Sequence, residues 1–485
     1  MPPVSPLDRF AASLTDASPR DIARGLIGED AVVDSPFGPK PLIYADYVAS
    51  GRALMQVEEF MLREVLPYYA NTHTQASYCG EYMTRLREAA RAQVARLTGA
   101  DASCSVIFAG AGSTAGINRI VGLLDIGGAV ARGDRVVVLT GPYEHHSNIL
   151  PWRETGAAVV EIPEAPGGGV DLTALAQTLA AEQGADMIVG TFSAASNVTG
   201  ILADVDAITL TLKAHGALAI WDYGCAGPYC AMDMKPGTDA AKDAIVFSAH
   251  KFPGGPGASG VAVLRTDIAR RRTPTLPGGG TVSFVSPWDH VYSSNLSTRE
   301  EGGTPNVTGD IRVAMAMLVK EALGQSWLRD RQTALRARAL SVWRRNPRLQ
   351  LLGELDAPAL PIFSFRVRDG QGGMIHHQLF TRMLSDLHGI QARGGCACAG
   401  PYAHRLLGLD RAGSQATYAA LTQGKETEKP GWVRLNLSAL MCDEKVDTII
   451  AAVDDLARTA DGLLHHYTVD PATARFRAEP MAASA

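Results

Sequence analysis

Residues 244–260 read AIVFSAHKFPGGPGASG, an apolar strand-like run that ends in Ser-Ala-His-Lys and leads into a glycine-rich segment. A lysine that projects from the end of a strand into a site can hold an aldehyde cofactor as a Schiff base, provided that its surroundings deprotonate the amine. The glycines let the backbone pass close to such a lysine. On its own, a lysine after a strand is most often a surface residue, so the interpretation of Lys251 depends on its partners.

Six further β-rich runs alternate with helical patterns on either side of this one. Such alternation predicts an α/β fold, with a mostly parallel seven-stranded sheet flanked by helices on both faces. A long helical pattern covers about 309 to 346, after which a strand, a helix, a loop, a strand and a final helix predict a smaller α+β unit. The seven runs are CSVIFAG, RVVVLTG, AAVVEI, DMIVGTFS, ALAIWD, AIVFSAH and GVAVLR.

The domain organisation expected from this pattern has three parts. Residues 1–40 form an N-terminal arm, 41–330 a large domain and 331–485 a small C-terminal domain, to which the beginning of the large domain also contributes. We expect the polar segment 408–430 to be an exposed loop or insertion.

An aspartate lies one strand unit before the lysine, in WDYGC (221–225). A carboxylate at the end of a buried strand can pair with a pyridinium nitrogen and keep it protonated, which makes the ring an electron sink. The simpler interpretation of Asp222 is a strand-end carboxylate that accepts backbone hydrogen bonds. An aspartate followed about thirty residues later by a lysine, both at strand ends, is the arrangement expected for pyridoxal 5′-phosphate (PLP).

Two further segments follow strands. In AGAGSTAGIN (109–118), Gly112, Ser113 and Thr114 would expose N–H groups and hydroxyls at a helix N-terminus, which suits a phosphate, although a plain helix cap is the favoured interpretation of the segment in isolation. In PYEHHSNILPW (142–152), His145 could stack on a flat ring and His146 could be a packing or capping residue. No group of residues has metal-ligand spacing, so we expect no metal.

Composition excludes several classes of function. The 485 residues carry 45 basic and 50 acidic side chains, a net charge of -5, which leaves no basic footprint for nucleic acid or for an anionic membrane. No apolar run reaches about 18 residues, and the first twenty residues do not have the basic-then-apolar pattern of a secretory signal, so we expect neither a transmembrane helix nor a signal peptide. Seven cysteines are an odd and sparse count, which favours reduced thiols and a cytoplasmic location.

Taken together, the motifs SNVTG, WDYGC, FSAHK and GGTPN and the cysteine-bearing loop RGGCACAGPY resemble a known family. The chain is similar to the fold-type I PLP enzymes of aminotransferase class V, and within them to the cysteine desulfurases and selenocysteine lyases. The resemblance runs from about Tyr44 to residue 460, and EHHSNILPW, FSAHKFPGGPG and EGGTPN match family segments in order. The extreme N-terminus and residues 403–430 fall outside it.

The resemblance implies a homodimer and a role for each matching residue. Lys251 would carry PLP, Asp222 would pair with its ring nitrogen, His145 would stack on the ring, and Asn197 would contact the cofactor or the substrate carboxylate. Arg434 would clamp the carboxylate of an amino-acid substrate, assisted by Arg393. Contacts to the phosphate would come from Gly112, Ser113, Thr114, Ser248 and His250, and from Thr304 reaching the phosphate of the other subunit.

The resemblance also implies a nucleophile in ARGGCACAGP (392–401). Cys398 falls where desulfurases carry the thiol that takes sulfur from L-cysteine and passes it to an acceptor protein, with Arg393 expected to favour the thiolate. Cys396 is the competitor, and related epimerases and lyases have a loop here that uses no thiol. The family usually has Gln three residues after the aspartate, whereas this chain has Cys225, a weaker donor.

Three rivals to a desulfurase remain on the sequence evidence. The first is a selenocysteine lyase or related C–S lyase, which depends less on the thiol. The second is an epimerase or a true aminotransferase acting on another amino acid. The third, a non-catalytic sulfur-relay or scaffold protein, has no need of the electron sink that Lys251 and Asp222 imply.

Overall fold

The computed structural model of the chain describes residues 5–72 and 74–478. The first four residues of the predicted N-terminal arm and the last seven of the predicted C-terminal domain lie outside this part. In chain order the strands are β1 (Val32–Val33), β2 (Lys40–Pro41), β3 (Ile43–Tyr44), β4 (Cys104–Gly110), β5 (Val136–Thr140), β6 (Ala158–Glu161), β7 (Met187–Ser193), β8 (Leu218–Asp222), β9 (Ala244–Ser248), β10 (Gly260–Arg265), β11 (Val282–Val285), β12 (His290–Tyr292), β13 (Leu349–Leu351), β14 (Ile362–Arg368), β15 (Met374–Ile375), β16 (Ile390–Gln391), β17 (Arg393–Gly395), β18 (Trp432–Asn436), β19 (Tyr467–Asp470) and β20 (Arg475–Ala478).

The helices connect and flank these strands, and several short 3-10 turns join them. In chain order the helices are α1 (Pro6–Leu14), α2 (Pro19–Ala23), α3 (Met55–Phe60), α4 (Tyr78–Leu97), α5 (Gly112–Leu123), α6 (Ile126–Ala131), α7 (Leu150–Arg153), α8 (Leu172–Ala181), α9 (Val205–Ala214), α10 (Leu296–Glu300), α11 (Val307–Leu323), α12 (Gln325–Trp343), α13 (His377–His388), α14 (Gly400–Leu407), α15 (Arg411–Thr422) and α16 (Asp443–Thr459).

The chain divides into two compact units. The large unit comprises the described residues of 5–27, 50–195 and 203–327, and the small unit comprises 28–49, 196–202 and 328–478. The small unit therefore takes two segments from earlier in the chain, and each of these segments contributes a polar residue to the site described below.

A seven-stranded sheet organises the large unit, in the order β4-β10-β9-β8-β7-β5-β6. β6, β5, β7, β8 and β9 run parallel to one another, while β10 is antiparallel to both of its neighbours. Every residue of β5, β7 and β9 is buried, as expected for parallel strands covered by helices on both faces. The predicted α/β fold with its mostly parallel seven-stranded sheet is confirmed, and all seven predicted runs supply its strands.

An antiparallel sheet forms the centre of the small unit, in the order β13-β14-β18-β17, with β15 also paired to β14. Trp343, Phe363 and Phe365 belong to one buried apolar cluster with residues of α13 and α16. β16 is paired in parallel with β3, so Ile390 and Gln391 lie beside Ile43 and Tyr44. This pairing brings the chain before Asp46 next to the strand that leads to Arg393.

Two local predictions require correction. The helical pattern of 309–346 is two helices rather than one, because Gly324 has a φ of 76° and ends α11, a conformation that glycine adopts without steric cost. The segment 408–430 is exposed but not a loop, because it contains α15, which has no buried residue. Asp410 caps this helix by accepting a hydrogen bond from the Gly413 N–H at 2.8 Å.

None of the helices in the described ranges combines the length and the apolar character that crossing a bilayer requires.

We expect Trp343→Ala to lower the free energy of unfolding of the small unit by about 3–5 kcal/mol, the usual cost of removing a buried large aromatic side chain. Trp343 is fully buried, packs edge-to-face on Phe363 at a ring distance of 4.9 Å and donates a hydrogen bond to Ile450 O at 3.0 Å. Urea unfolding measures the change, with Trp288→Ala as the control because Trp288 is 91% exposed. Equal effects of the two substitutions would contradict this assignment of the core.

Candidate active site

Asp222 and Lys251 lie at the carboxyl ends of two neighbouring parallel strands of the large unit. Asp222 is the last residue of β8, and Lys251 closes the short 3-10 turn that follows β9. Asp222 is 5% exposed, and its Oδ1 accepts a hydrogen bond from the Gly224 N–H at 2.7 Å. Burial raises the pKa of Asp222, while this hydrogen bond and the positive charge of Lys251 partly offset the rise. A cation placed beside Asp222 would therefore stabilise its ionised form.

A polar cup lies at the N-terminus of α5, in the same unit. The Ser113 N–H donates to Ser248 Oγ at 2.8 Å, and the two serine hydroxyls are 2.9 Å apart. Gly112 has a φ of +61°, and a Cβ there would lie 2.8 Å from Ser248 Oγ and 3.2 Å from His250 Cε1. The residue before the helix, Ala111, offers no side-chain cap. Helix N–H groups and hydroxyls without a local cap suit an anion.

His145 lies in the loop after β5 and is linked to the first turn of α5 through Ser147. Its Nδ1 accepts a hydrogen bond from the Ser147 N–H at 3.1 Å, so the neutral ring carries its proton on Nε2. The Ser147 hydroxyl lies 3.0 Å from His145 Nδ1 and 2.6 Å from Thr114 Oγ1. The structure therefore brings His145 and Thr114 into one hydrogen-bonded chain.

In the small unit, Asp46 holds both of the arginines that the sequence singled out. Its Oδ1 accepts a hydrogen bond from Arg434 at 2.9 Å, and its Oδ2 accepts two from Arg393, at 2.9 Å and 2.8 Å. The Arg434 side chain is 5% exposed and that of Arg393 is 50% exposed. A buried guanidinium needs such a partner, because leaving it unpaired costs several kcal/mol.

Asn197 joins this arginine pair to the cysteine-bearing loop within the small unit. Its backbone oxygen accepts a hydrogen bond from Arg434 at 3.1 Å, and its Nδ2 donates to Ala397 O at 2.7 Å. Among the described residues, Asn197 Oδ1 and Arg434 Nε are buried without a hydrogen-bond partner. Since buried polar atoms are rarely unsatisfied, one acceptor and one donor are available here for a ligand.

Cys396 and Cys398 lie in a tight turn. The Ala399 N–H donates to Cys396 O at 3.3 Å, and Ala397 and Cys398 both have left-handed backbone, with φ of 53° and 54°. Cys398 is exposed, whereas Cys396 is half-buried. The loop thus presents Cys398 to solvent.

The remaining predicted positions differ in setting. Thr304 is exposed in the segment between α10 and α11, outside the contacts described above, and its predicted role toward a second subunit stays a prediction. Cys225, which replaces the family's Gln, is buried. Across the described residues, no group of three or more His, Cys, Asp or Glu side chains could hold a metal ion.

The family model of aminotransferase class-V matches residues 43–449, which is most of the chain. The chain belongs to the aminotransferase class-V family. It is a PLP-dependent enzyme, since that cofactor dependence is common to the family and to its cysteine desulfurases.

Two relatives of similar sequence are named as cysteine desulfurases, one of them as probable. A probable cysteine desulfurase of Halalkalibacterium halodurans is 27% identical over 378 residues, which cover 76% of this chain and 87% of that protein. The cysteine desulfurase of Klebsiella pneumoniae is 26% identical over 444 residues, covering 88% of this chain and 96% of that one.

Solved structures share the fold of this class-V enzyme. The apo cysteine desulfurase of Thermococcus onnurineus superposes with a TM-score of 0.70 at 24% identity, covering 86% of this chain and 95% of the other. A cysteine desulfurase of Escherichia coli, in its S-sulfonic acid form, gives a TM-score of 0.68 at 21% identity, with coverage of 91% and 99%.

The donor set of the large unit fits PLP. An aldehyde needs a lysine amine, a pyridine nitrogen needs a buried carboxylate, and a phosphate needs N–H and O–H donors. Lys251, Asp222 and the cup of Gly112, Ser113 and Ser248 supply these groups. Any Cβ at position 112 would crowd Ser248 and His250, which explains the requirement for glycine at the start of α5.

Sequence reasoning missed two carboxylates. Asp46 ends the strand-like run PLIYAD, a signal that could have drawn attention to it. Glu144 directly precedes His145 and is buried, where it accepts hydrogen bonds from Asn148 Nδ2 at 2.6 Å and from the Ser193 N–H and hydroxyl at 2.8 Å and 2.7 Å. Burial raises the pKa of Glu144 to about 7, with a smaller contribution from the charge of Asp222.

We expect Asp46→Asn to lower the free energy of unfolding by about 3–5 kcal/mol, because it leaves the buried guanidinium of Arg434 without a counter-charge. The matched control is Asp356→Asn, which removes an ion pair to Arg344 whose side chains are 81% and 40% exposed. Exposed pairs are worth less than about 1 kcal/mol. Urea unfolding compares the two variants, and a small effect at Asp46 would show that Arg434 does not depend on it.

The stability of the enzyme should depend on pH through Glu144. Its folded-state pKa is raised from 4.5 to about 7, so its stabilising contribution is complete below the unfolded value and is lost as the pH rises through 7. Relative to Glu144→Gln, the wild type should therefore lose roughly 3 kcal/mol of unfolding free energy across this window. Urea unfolding at several pH values measures the difference, with Glu88→Gln as an exposed control. A difference that is independent of pH would refute the assignment.

Proposed function

We propose that this enzyme is a cysteine desulfurase-like lyase, which converts L-cysteine to L-alanine and takes the sulfur on Cys398. The observation that carries this proposal is the turn that exposes Cys398. The Asn197 side chain donates a hydrogen bond to the backbone of this turn, and the Asn197 carbonyl accepts one from Arg434. The proposed nucleophile and the proposed site for the substrate carboxylate would thus share Asn197 as a hydrogen-bonding partner in the small unit.

In this proposal the residues that bind the cofactor belong to the large unit. Lys251 would hold PLP covalently, Asp222 would pair with the ring nitrogen and His145 would stack on the ring. The phosphate would lie in the cup formed by Gly112, Ser113 and Ser248, with Thr114 and His250 beside it. PLP, when bound, withdraws electrons from the α- and β-carbons of the amino acid.

Substrate binding would use the unsatisfied atoms beside Asp46. Arg434 retains a buried Nε without a partner, and a carboxylate is the ligand that suits a guanidinium best. Asp46 would act as a positioning residue, because it fixes Arg434 and Arg393 through separate oxygens. Asn197 Oδ1, also unpartnered, would accept a hydrogen bond from the substrate.

Two groups of the chain would move protons and sulfur. The Lys251 amine would remove the proton from Cα of the substrate and return it to the carbon skeleton. The Cys398 thiolate would attack the substrate sulfur, so that an S–S bond forms as the C–S bond breaks. The electron pair of the C–S bond stays with the carbon fragment, which leaves as alanine after protonation, and the sulfur remains on Cys398 as a persulfide.

The resemblance supports three wider proposals. We propose that the enzyme is a homodimer, that its persulfide sulfur passes to an acceptor protein, and that it acts in the cytoplasm.

We expect Cys398→Ala to abolish the formation of alanine and sulfide from L-cysteine, with a loss of at least about a hundredfold, because the variant has no thiol to accept the sulfur. The matched control is Cys442→Ala, since Cys442 is the other exposed thiol among the described residues and should be dispensable. The measurement is alanine and sulfide released by PLP-loaded protein in the presence of a reductant.

Two further outcomes separate the rivals. Lys251→Ala should lose the absorbance of covalently bound PLP as well as activity, which distinguishes loss of the cofactor from loss of the thiol. Full activity of Cys398→Ala on L-cysteine would contradict the desulfurase mechanism and favour a C–S or selenocysteine lyase. If the wild type binds PLP but forms no alanine, the substrate is another amino acid.

A further inference from the structure

Cys396 and Cys398 stand apart from the other thiols of the chain. Among the described residues no cysteine forms a disulfide, and these two are separated by a single residue. The proposed function uses Cys398 alone and leaves Cys396 without a role. A second thiol this close to a sulfur-carrying thiol has a direct chemical consequence, because thiolates attack S–S bonds.

The turn brings the two cysteines within reach of each other. Ala397 is left-handed, with a φ of 53°, and the hydrogen bond from the Ala399 N–H to Cys396 O closes the turn at 3.3 Å. Two successive Cα–Cα steps folded in this way span about 5.5 Å, whereas an extended segment spans about 7 Å. Disulfides require about 4.4–6.8 Å between Cα atoms, so the turned conformation meets this requirement and an extended one does not.

The turn is held by a hydrogen bond to its backbone, in which neither thiol takes part. Asn197 Nδ2 donates to Ala397 O at 2.7 Å, which holds the central peptide of the turn in place. Left-handed backbone is uncommon for alanine and cysteine, and such conformations persist where the surroundings enforce them. Cys398 is exposed, as a thiol that accepts sulfur from a substrate must be, while Cys396 is half-buried.

We propose that Cys396 is a resolving thiol for Cys398, an inference that rests on the proposed desulfurase function. The Cys396 thiolate attacks the Cys398 sulfur of the persulfide, and the outer sulfur leaves with the electron pair as hydrosulfide. A disulfide between Cys396 and Cys398 remains. The Cys396 sulfur is oxidised by one electron and the leaving sulfur is reduced by one, so the step balances without an oxidant. A dithiol reductant then restores both thiols by disulfide exchange.

This step makes the enzyme a source of free sulfide whose turnover depends on a dithiol. Without Cys396, sulfur would leave only when an external thiol attacked the persulfide. The two cysteines would thus decide between release of sulfide and transfer of the persulfide sulfur to an acceptor.

The test is one turnover of the PLP-loaded full chain with a single equivalent of L-cysteine and no added thiol, followed by peptide mass analysis. The wild type should yield alanine, hydrosulfide and a Cys396–Cys398 disulfide. Cys396→Ala should yield the same alanine but retain at least about tenfold more persulfide on Cys398, because the intramolecular thiol is absent. Cys396→Ser keeps the size and polarity of the side chain and should behave like the alanine variant, while Cys442→Ala should behave like the wild type.

The outcomes distinguish the two proposals. Alanine together with a stable Cys398 persulfide in the wild type would overturn the resolving role and leave the desulfurase function standing. Absence of alanine from the wild type and from Cys396→Ala alike would overturn both. A readout that needs no turnover is the cofactor-free protein equilibrated with mixtures of oxidised and reduced dithiothreitol. Failure of a Cys396–Cys398 disulfide to form even in the most oxidising mixture would also overturn the inference.

Discussion

The parallel pairing of β8 with β9 is the constraint on which the large unit depends. Asp222 is paired with Ser193 on one side and with Val246 on the other, and it is buried at the end of β8. Burial alone would favour the neutral acid, and Lys251, after the end of the next strand, supplies the opposing positive charge. A site that stabilises one charge by another is suited to a cofactor that carries both a cationic ring and a bond to lysine.

The small unit also stabilises a buried charge with an opposite charge, but with a different geometry. Asp46 divides its two oxygens between a buried arginine and a half-exposed one, so that the carboxylate positions two guanidinium groups at once. Asn197 extends the cluster from Arg434 to the turn of Cys396 and Cys398. Ion pairing, amide hydrogen bonding and backbone strain thus meet in one polar cluster, in which a change at any member alters the others.

Glu144 connects two segments of the large unit that lie next to the proposed cofactor site. Its carboxylate binds both the loop of His145, through Asn148, and the end of β7, through Ser193. Ser193 is the register partner of Asp222, so the support reaches the strand that carries the proposed cofactor partner. A buried acid with several hydrogen-bond donors can hold loops in place while its protonation follows the pH.

Much of the large unit was predictable because the information is local. Short apolar runs, each followed by glycine or polar residues, predict buried parallel strands wherever they occur. Asp222 and Lys251 could be proposed from sequence because each lies at or just after the end of such a run. Helix breaks and caps were less predictable, as Gly324 and Asp410 show, because one residue's φ or one side-chain hydrogen bond decides them.

The amino-acid sequence by itself determined the α/β class, the seven strands and the residues suited to PLP. Only the tertiary structure decided that Asp46 pairs with Arg393 and Arg434, which lie 347 and 388 residues away in the chain, and that Asn197 holds a turn 200 residues away. The physical reason is that a strand run depends on its own few residues. Pairings between distant side chains depend instead on two strand alignments, that of β17 with β18 in the antiparallel sheet and that of β16 with β3 in a separate parallel pair, which no local pattern encodes.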